Sequence, residues 1–380
     1  MGTDLVEPDW PPLTTDEVGV VLAAYDPSSA ARSAEPARIL WHSPRPMSAA
    51  ALVEHHGGVV VVKRHDPRVR TVAQLGAEHM FARHLRRHGA GVPAVLRTRR
   101  GATATRHEGF VYEVHEQAEG LDLYREAVSW SPFASLGHAR AAGAALARLH
   151  QAAASFRAPA RPQAVLSSSC AVVLAPDPLA QVSRLLAARP GLAAALAQRP
   201  WRQDFARDVL PAIERAAPLL GALAPQWSHG DWHPSNLTWT SAGAGAEVAA
   251  VFDFGLANRT SAVHDLATAL ERSTISWLDL AGPGQAEGDL DAIDALLDGY
   301  EAVRPLTGAE AAALPAALPV VHVEYALSEV EYFAAVVGSA ENTDLAYGGY
   351  LLGHCRWFAG AAGQAVLDRL RARTLGTRRR

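Results

Sequence analysis

Two short runs in this 380-residue chain hold the residue types that phosphoryl transfer needs. The first is His229-Gly230-Asp231-Trp232-His233-Pro234-Ser235-Asn236, and the second is Val251-Phe252-Asp253-Phe254-Gly255. Moving a phosphoryl group from ATP to an alcohol requires a carboxylate beside the attacking hydroxyl and oxygen ligands for Mg²⁺. The first run offers Asp231 for the hydroxyl and, five residues later, Asn236 for the metal. The second ends an apolar strand in Asp-Phe-Gly, with Asp253 as a further metal ligand. Either string alone is short enough to occur by chance. Their order, with a predicted hairpin between them, carries the signal.

Composition adds a third residue. Only one of the 35 basic residues is a lysine, Lys63, and it closes the β-branched run Val59-Val60-Val61-Val62. Such a run predicts a buried strand. A lysine at the end of that strand, upstream of both loops, is placed to reach ATP phosphates.

The elements that must position these residues fall into two textures. Thr14 to Glu17 is a helix-start signal, with acids where they favour the helix dipole. Strands are predicted at 39–41, 50–54, 59–63, 95–97 and 110–114, with a loop over 42–48 and a helix over 71–88. Beyond Gly120 the sequence becomes rich in Ala and Leu, with a long helix over 133–154 and a helix over 201–220. Residues 237–240 and 247–252 predict the hairpin that carries the two loops. An α+β fold with two lobes is expected: a small strand-rich lobe over 1–117 and a large helical lobe over 118–380, hinged near 115–122.

Several classes are set aside by composition. Hydrophobic residues make up 49% of the chain, which predicts a packed core rather than disorder. A net charge of −4 gives no reason to expect a nucleic-acid partner. Two cysteines without spaced partners indicate neither a disulfide framework nor a zinc site. The start carries acids and no apolar core, and no run of about 18 apolar residues occurs, so a cytoplasmic protein without a membrane span is expected.

With the strand lysine, HGDWHPSN and FDFG in this order, the chain resembles the aminoglycoside phosphotransferase/choline kinase-type family, a branch of the protein-kinase-like fold. The likeness covers roughly residues 14–360. It implies ATP and Mg²⁺ as cofactors and a hydroxyl of a small molecule as acceptor. Carried over by position, Asp231 would accept or orient the hydroxyl proton, Asn236 and Asp253 would hold Mg²⁺, and Lys63 would bind phosphates with Glu78 orienting it. His229 would brace the catalytic loop and Asp265 would tie it down. Backbone groups near His115 would meet the adenine. No Gly-x-Gly-x-x-Gly precedes Lys63; the position holds residues 42–48, where Ser43 or Ser48 would cover the phosphates. The resemblance leaves a peptide Ser/Thr kinase and a nucleotide-binding pseudokinase scaffold as alternatives.

Other charged groups invite a reading. His79, His84 and His88 look like a metal site, but arginines surround them and a solvated basic helix is the simpler expectation. Asp291, Asp294, Asp298 and Glu301 share one helix face, expected to be its wet side. The basic ending from Arg369 to Arg380 is expected to fray in solvent. Glu324, Ser328 and Glu331 share a face of an otherwise apolar helix. Acids there need partners or a cavity, so Glu324 and Glu331 are candidates for the acceptor site.

Overall fold

The computed structural model describes residues 8–25, 37–279 and 286–377. It opens with helix α1 (Thr15–Ala23), started by a reciprocal capping box between Thr14 and Glu17. Five antiparallel strands follow: β1 (Arg38–His42), β2 (Ala49–His55), β3 (Gly58–His65), β4 (Ala104–His107) and β5 (Phe110–Glu116), in the order β1-β2-β3-β5-β4. Helix α2 (Val72–Arg87) connects β3 to β4, starting at a second capping box, between Thr71 and Gln74.

Strand residues alternate between faces, and that alternation builds the small lobe. Val62, Tyr112 and Val114 pack with Val18, Val21 and Leu22 of α1. The opposite face carries Val111 against Leu75 of α2. Lys63 and Glu113 lie directly across from one another in the β3–β5 register and so share that second face.

The strand expected at 95–97 is not a full strand. The outer edge of β5 is divided: β4 takes Phe110–Glu113, while residues 94–96 add a bridge from Val95 to His115 and a bond from Leu96 N to Val114 O of 2.8 Å. Pro93 and the short remaining edge leave no room for a longer ladder.

The rest of the chain is mostly helical: α3 (Leu136–Ala153), α4 (Pro178–Ala188), α5 (Pro190–Ala197), α6 (Trp201–Asp204), α7 (Leu210–Gly221), α8 (Ala262–Thr274), α9 (Leu290–Val303), α10 (Gly308–Ala317), α11 (Val323–Glu331), α12 (Ala340–Asp344), α13 (Gly353–Ala359) and α14 (Ala361–Thr377). Helices α3 and α9 cross in backbone contact. A Cβ on Gly143 would lie 1.9 Å from Leu296 O, and one on Gly299 equally close to Arg140 O. Any larger residue would separate the pair. Two π-helical stretches, Tyr332–Val337 and Leu345–Leu352, follow α11 and α12. None of the described helices is long and apolar enough to cross a membrane.

Two surface readings change. The acidic face of α9 is not a wet side but a seat for α14: Arg373 reaches Asp294, Asp298 and Glu301 at 2.8–3.0 Å, and Arg369 also pairs with Asp294. The basic ending is therefore ordered as helix through residue 377, because those arginines meet carboxylates; residues 378–380 lie outside the described residues. The Pro-rich stretch 1–12 reads from its sequence as irregular, and residues 1–7 of it likewise lie outside the described residues.

Candidate active site

Two short ladders hold the two loops side by side. Strand β6 (Gln226–Ser228) pairs with β9 (Asn258–Thr260), and β7 (Leu237–Trp239) pairs with β8 (Val248–Val251). The first loop, 229–236, runs from β6 to β7, and the second, 252–257, from β8 to β9. Each loop is thus anchored at both ends to the strands that anchor the other. Hydrogen bonds cross between them, from the ring Nε2 of His229 to Phe252 O (3.0 Å) and from Phe252 N to Asn236 O (3.1 Å). Gly230 has φ of +76°, and a Cβ there would sit 2.5 Å from Leu256 O, so only glycine lets the loops approach this closely.

The loop containing Asp231 is fixed from below. The buried carboxylate of Asp265 on α8 accepts bonds from His229 N (2.8 Å), Gly230 N (2.7 Å) and His150 Nε2 (2.9 Å). His150 is held in turn by Tyr300 OH at 2.7 Å. The bracing expected of His229 and Asp265 is found as written in the sequence.

Asp231, Asn236, Asp253 and Lys63 converge. Asn236 Nδ2 donates to the backbone O of Asp231 at 2.9 Å and lies 3.3 Å from its carboxylate. Asp253 takes a left-handed φ of +61°, a conformation costly for a non-glycine residue and typical of functional turns. Its Oδ2 lies 2.9 Å from Lys63 Nζ. Burial pushes the Asp253 carboxyl up, but Lys63 outweighs it and holds it below the usual range despite Asp231 nearby. The Lys63 ammonium is raised in turn: Asp253 and Glu113 overcome its desolvation.

The sequence did not show Arg272. Its guanidinium, buried on α8, is ion-paired with Asp231 and stands 5.0 Å from the ring centres of both Trp130 and Tyr325. Burial alone would raise the Asp231 carboxyl; Arg272 and His233 pull it well below the ordinary value. Arg45 was also missed. The loop at 43–48 carries it to the start of the second lobe, with Nη2 3.3 Å from Tyr124 O; burial lowers its pKa against the pull of Asp122, Asp253 and Asp231.

Glu78 and His79 stand differently from the sequence reading. Glu78 does not contact Lys63; its carboxylate is taken by Arg70 (3.2 Å) and by Arg161, two guanidiniums that outcompete a single ammonium already paired with Asp253. The side chain of Ser43 stays within its own loop, accepting from Arg45 N at 3.3 Å, and Ser48 lies at the bend entering β2. His115 stands opposite Val95 in a bridge whose bonds are made by its neighbours Val114 and Glu116, and its ring Nε2 lies 2.9 Å from Glu113. His79, expected on a solvated face, is buried and meets Glu113 at 2.6 Å; His65 joins the same carboxylate at 2.9 Å.

The candidate acceptor acids are also occupied. Glu324 accepts from Ser169, Gln163 Nε2 (2.9 Å) and Val172 N, and Glu331 pairs with Arg189. A cavity of about 530 Å³ opens elsewhere, between Pro46 and Met47 of the 43–48 loop and the C-terminal helices. Its walls include Trp130, Trp277, Phe333 and Tyr350, with Glu329 of α11 as the acid that reaches it.

A family model described as the phosphotransferase enzyme family matches residues 48–306. In sequence, the chain is 32% identical to an uncharacterized protein of Deinococcus radiodurans, over 65% of this chain and 64% of that one. The chain thus spans just under two thirds of that relative. It is 29% identical to a homoserine kinase of Phenylobacterium zucineum, over 70% of each. In structure, it is similar to an aminoglycoside phosphotransferase of Alicyclobacillus acidocaldarius (20% identity, TM-score 0.53, 97% of this chain and 98% of that one). It is also similar to a microcompartment-associated aminopropanol kinase (17% identity, TM-score 0.57, 95% and 98%).

Proposed function

The chain belongs to the phosphotransferase enzyme family, and from that premise we propose that it moves the γ-phosphoryl group of ATP to a hydroxyl of a small molecule. The observation that carries this reading is the convergence of Lys63, Asp231, Asn236 and Asp253 on two loops clamped by shared ladders. Relatives named as kinases of homoserine and aminopropanol point to alcohols of modest size. The 530 Å³ cavity, linked to Asp231 through the lining Trp130 and Arg272, fits such an acceptor better than a peptide strand.

In this reading Asp231 orients the acceptor hydroxyl. The new bond forms between the acceptor oxygen and the γ-phosphorus as the bond to the bridging oxygen of ADP breaks, and the hydroxyl proton passes to Asp231. A carboxylate held at low pKa is a weak base. That suits a loose transition state, in which the proton leaves late and positioning does most of the work. Lys63 binds phosphate oxygens, and Arg45, poised above Asp253 and Asp231, covers them where a glycine-rich loop would.

The donor set of Asp253 carboxylate and Asn236 amide oxygen suits Mg²⁺, a hard cation that takes oxygen ligands. When bound, Mg²⁺ would supply positive charge to offset that of the phosphates. Asn236 already spends its amide nitrogen on Asp231, which turns the amide oxygen to the metal side. We place the nucleotide in the 1–117 lobe and the acceptor in the 118–380 lobe.

The test is a transfer screen from Mg·ATP over hydroxylated metabolites, amino alcohols and sugars, followed by mass spectrometry. A phosphorylated small molecule at turnover well above the Asp231→Asn variant supports the reading. Transfer to protein serines alone would replace it with the peptide kinase.

A further inference from the structure

The cavity that Trp130 and Arg272 link to Asp231 has a chemical character that narrows its occupant, given the phosphotransferase reading on which this inference rests. Five aromatic rings line it: Trp130, Trp277, Phe333, Tyr350 and Trp357. Among the described lining residues, Glu329 is the one carboxylate. It is 1% exposed, and its Oε1 has no hydrogen-bond partner among the described residues. An unpaired buried carboxylate oxygen on a residue that lines a cavity is costly unless a ligand completes it.

Two guanidiniums stand near the same space, and both are paired. Arg356 lines it and pairs with Asp208, while Arg272 stands 5.0 Å from the ring of the lining Trp130 and pairs with Asp231. Glu329 is therefore the lining acid left to answer a ligand's charge, and one acid suits one ammonium. A ligand with several amines would leave its further charges unanswered among the rings. The ring-lined walls require an apolar body, which an amino sugar lacks.

We infer that the acceptor is a hydroxylated monoamine with a bulky apolar or aromatic body, its ammonium received by Glu329 and its hydroxyl directed to Asp231 past the guanidinium of Arg272. Glu329 is the specificity-determining residue. The carboxylate stays protonated in the empty cavity, where burial pushes it up to about 8 against the pull of Tyr325 and Arg272. An entering ammonium supplies the counter-charge that lets it ionise.

The test uses the full chain and calorimetric titration with three probes. Phenylglycinol carries an aromatic ring, one amine and one hydroxyl; styrene glycol replaces the amine with a hydroxyl; kanamycin carries several amines and no apolar body. Phenylglycinol is expected to bind about tenfold or more tightly than either of the others. Glu329→Gln removes that advantage over styrene glycol while Mg·ATP binds as before, which also shows the variant is folded. Tighter binding of kanamycin, undetectable phenylglycinol at millimolar concentration, or an unchanged amine preference in Glu329→Gln would overturn the inference. Failure of the wild-type chain to bind Mg·ATP is a separate result, which sinks the phosphotransferase reading itself.

Discussion

Arg272 is ion-paired with Asp231 and stands 5.0 Å from the ring of Trp130, so the pair joins a wall of the aromatic cavity to the loop between β6 and β7. The arginine side chain is 3% exposed and the aspartate 20%. A buried guanidinium beside the hydroxyl-orienting carboxylate keeps it ionised and fixes its direction.

Replacing Arg272 by Met strands that carboxylate. Stability should fall by about 3 kcal/mol, the lower end of the cost of breaking a buried pair, since Asp231 keeps some solvent. The folded-state pKa of Asp231, now depressed, should climb, moving the acid limb of kcat/KM to higher pH. The stabilisation this ionised carboxylate gives above its ordinary value of 3.8, lost in the wild type as pH falls through the depressed value, should vanish. Urea unfolding and a pH–rate profile check both. An acid limb that stays in place would mean Arg272 does not set the charge of Asp231.

Asp253→Ala removes both the charged metal ligand and the partner of Lys63. Turnover should drop by about a hundredfold or more, and half-saturation should need much more Mg²⁺, because a neutral amide alone cannot offset phosphate charge. A Mg²⁺ titration reads this directly. An unaltered curve would take Asp253 out of the metal site.

Glu329 makes a pH prediction. Its folded pKa, about 8, lies above the ordinary 4.5, so the folded state keeps a proton that the unfolded chain releases. Stability is therefore lost as pH rises from the ordinary value through about 8. Glu329→Gln cannot lose it. The variant should melt close to wild type near pH 5 and gain about 3 kcal/mol on it by roughly pH 9, measured by thermal unfolding across that range. A gap that shrinks with rising pH would contradict the buried, protonated carboxylate.

Much of this was legible in the sequence, for reasons the structure makes plain. The two loops are local strings whose residue types stand at short fixed spacings, so spacing placed them; Asp265, whose partners His229, Gly230 and His150 lie 36, 35 and 115 residues away, was implied by the family resemblance. The strand lysine stood out because the composition uses arginine elsewhere. The helix caps at Thr14 and Thr71 are likewise short-range. What escaped depends on tertiary reach. Glu78 was matched to Lys63 as the sole acid nearby, but its partners Arg70 and Arg161 come from loops that the fold, not the spacing, delivers. Glu324 and Glu331 were chosen over Glu329 by helical periodicity. That argument fails on α11, because Val323 to Glu331 are buried on every side and no wet face marks which acid meets the cavity. Arg272 and Arg45 act through contacts more than 40 residues away in sequence, and no local pattern announces them.

The most direct measurement is the Asp231→Asn variant, assayed for nucleotide binding and for turnover on the best acceptor from the transfer screen. The amide matches the carboxylate in shape but cannot take the proton, and it no longer answers the charge of Arg272. Mg·ATP should bind within about threefold of wild type while kcat falls by about a hundredfold or more, the usual range for loss of a positioned acid–base group. Turnover equal to wild type would contradict the account, because the loop between β6 and β7 would then not hold the catalytic carboxylate.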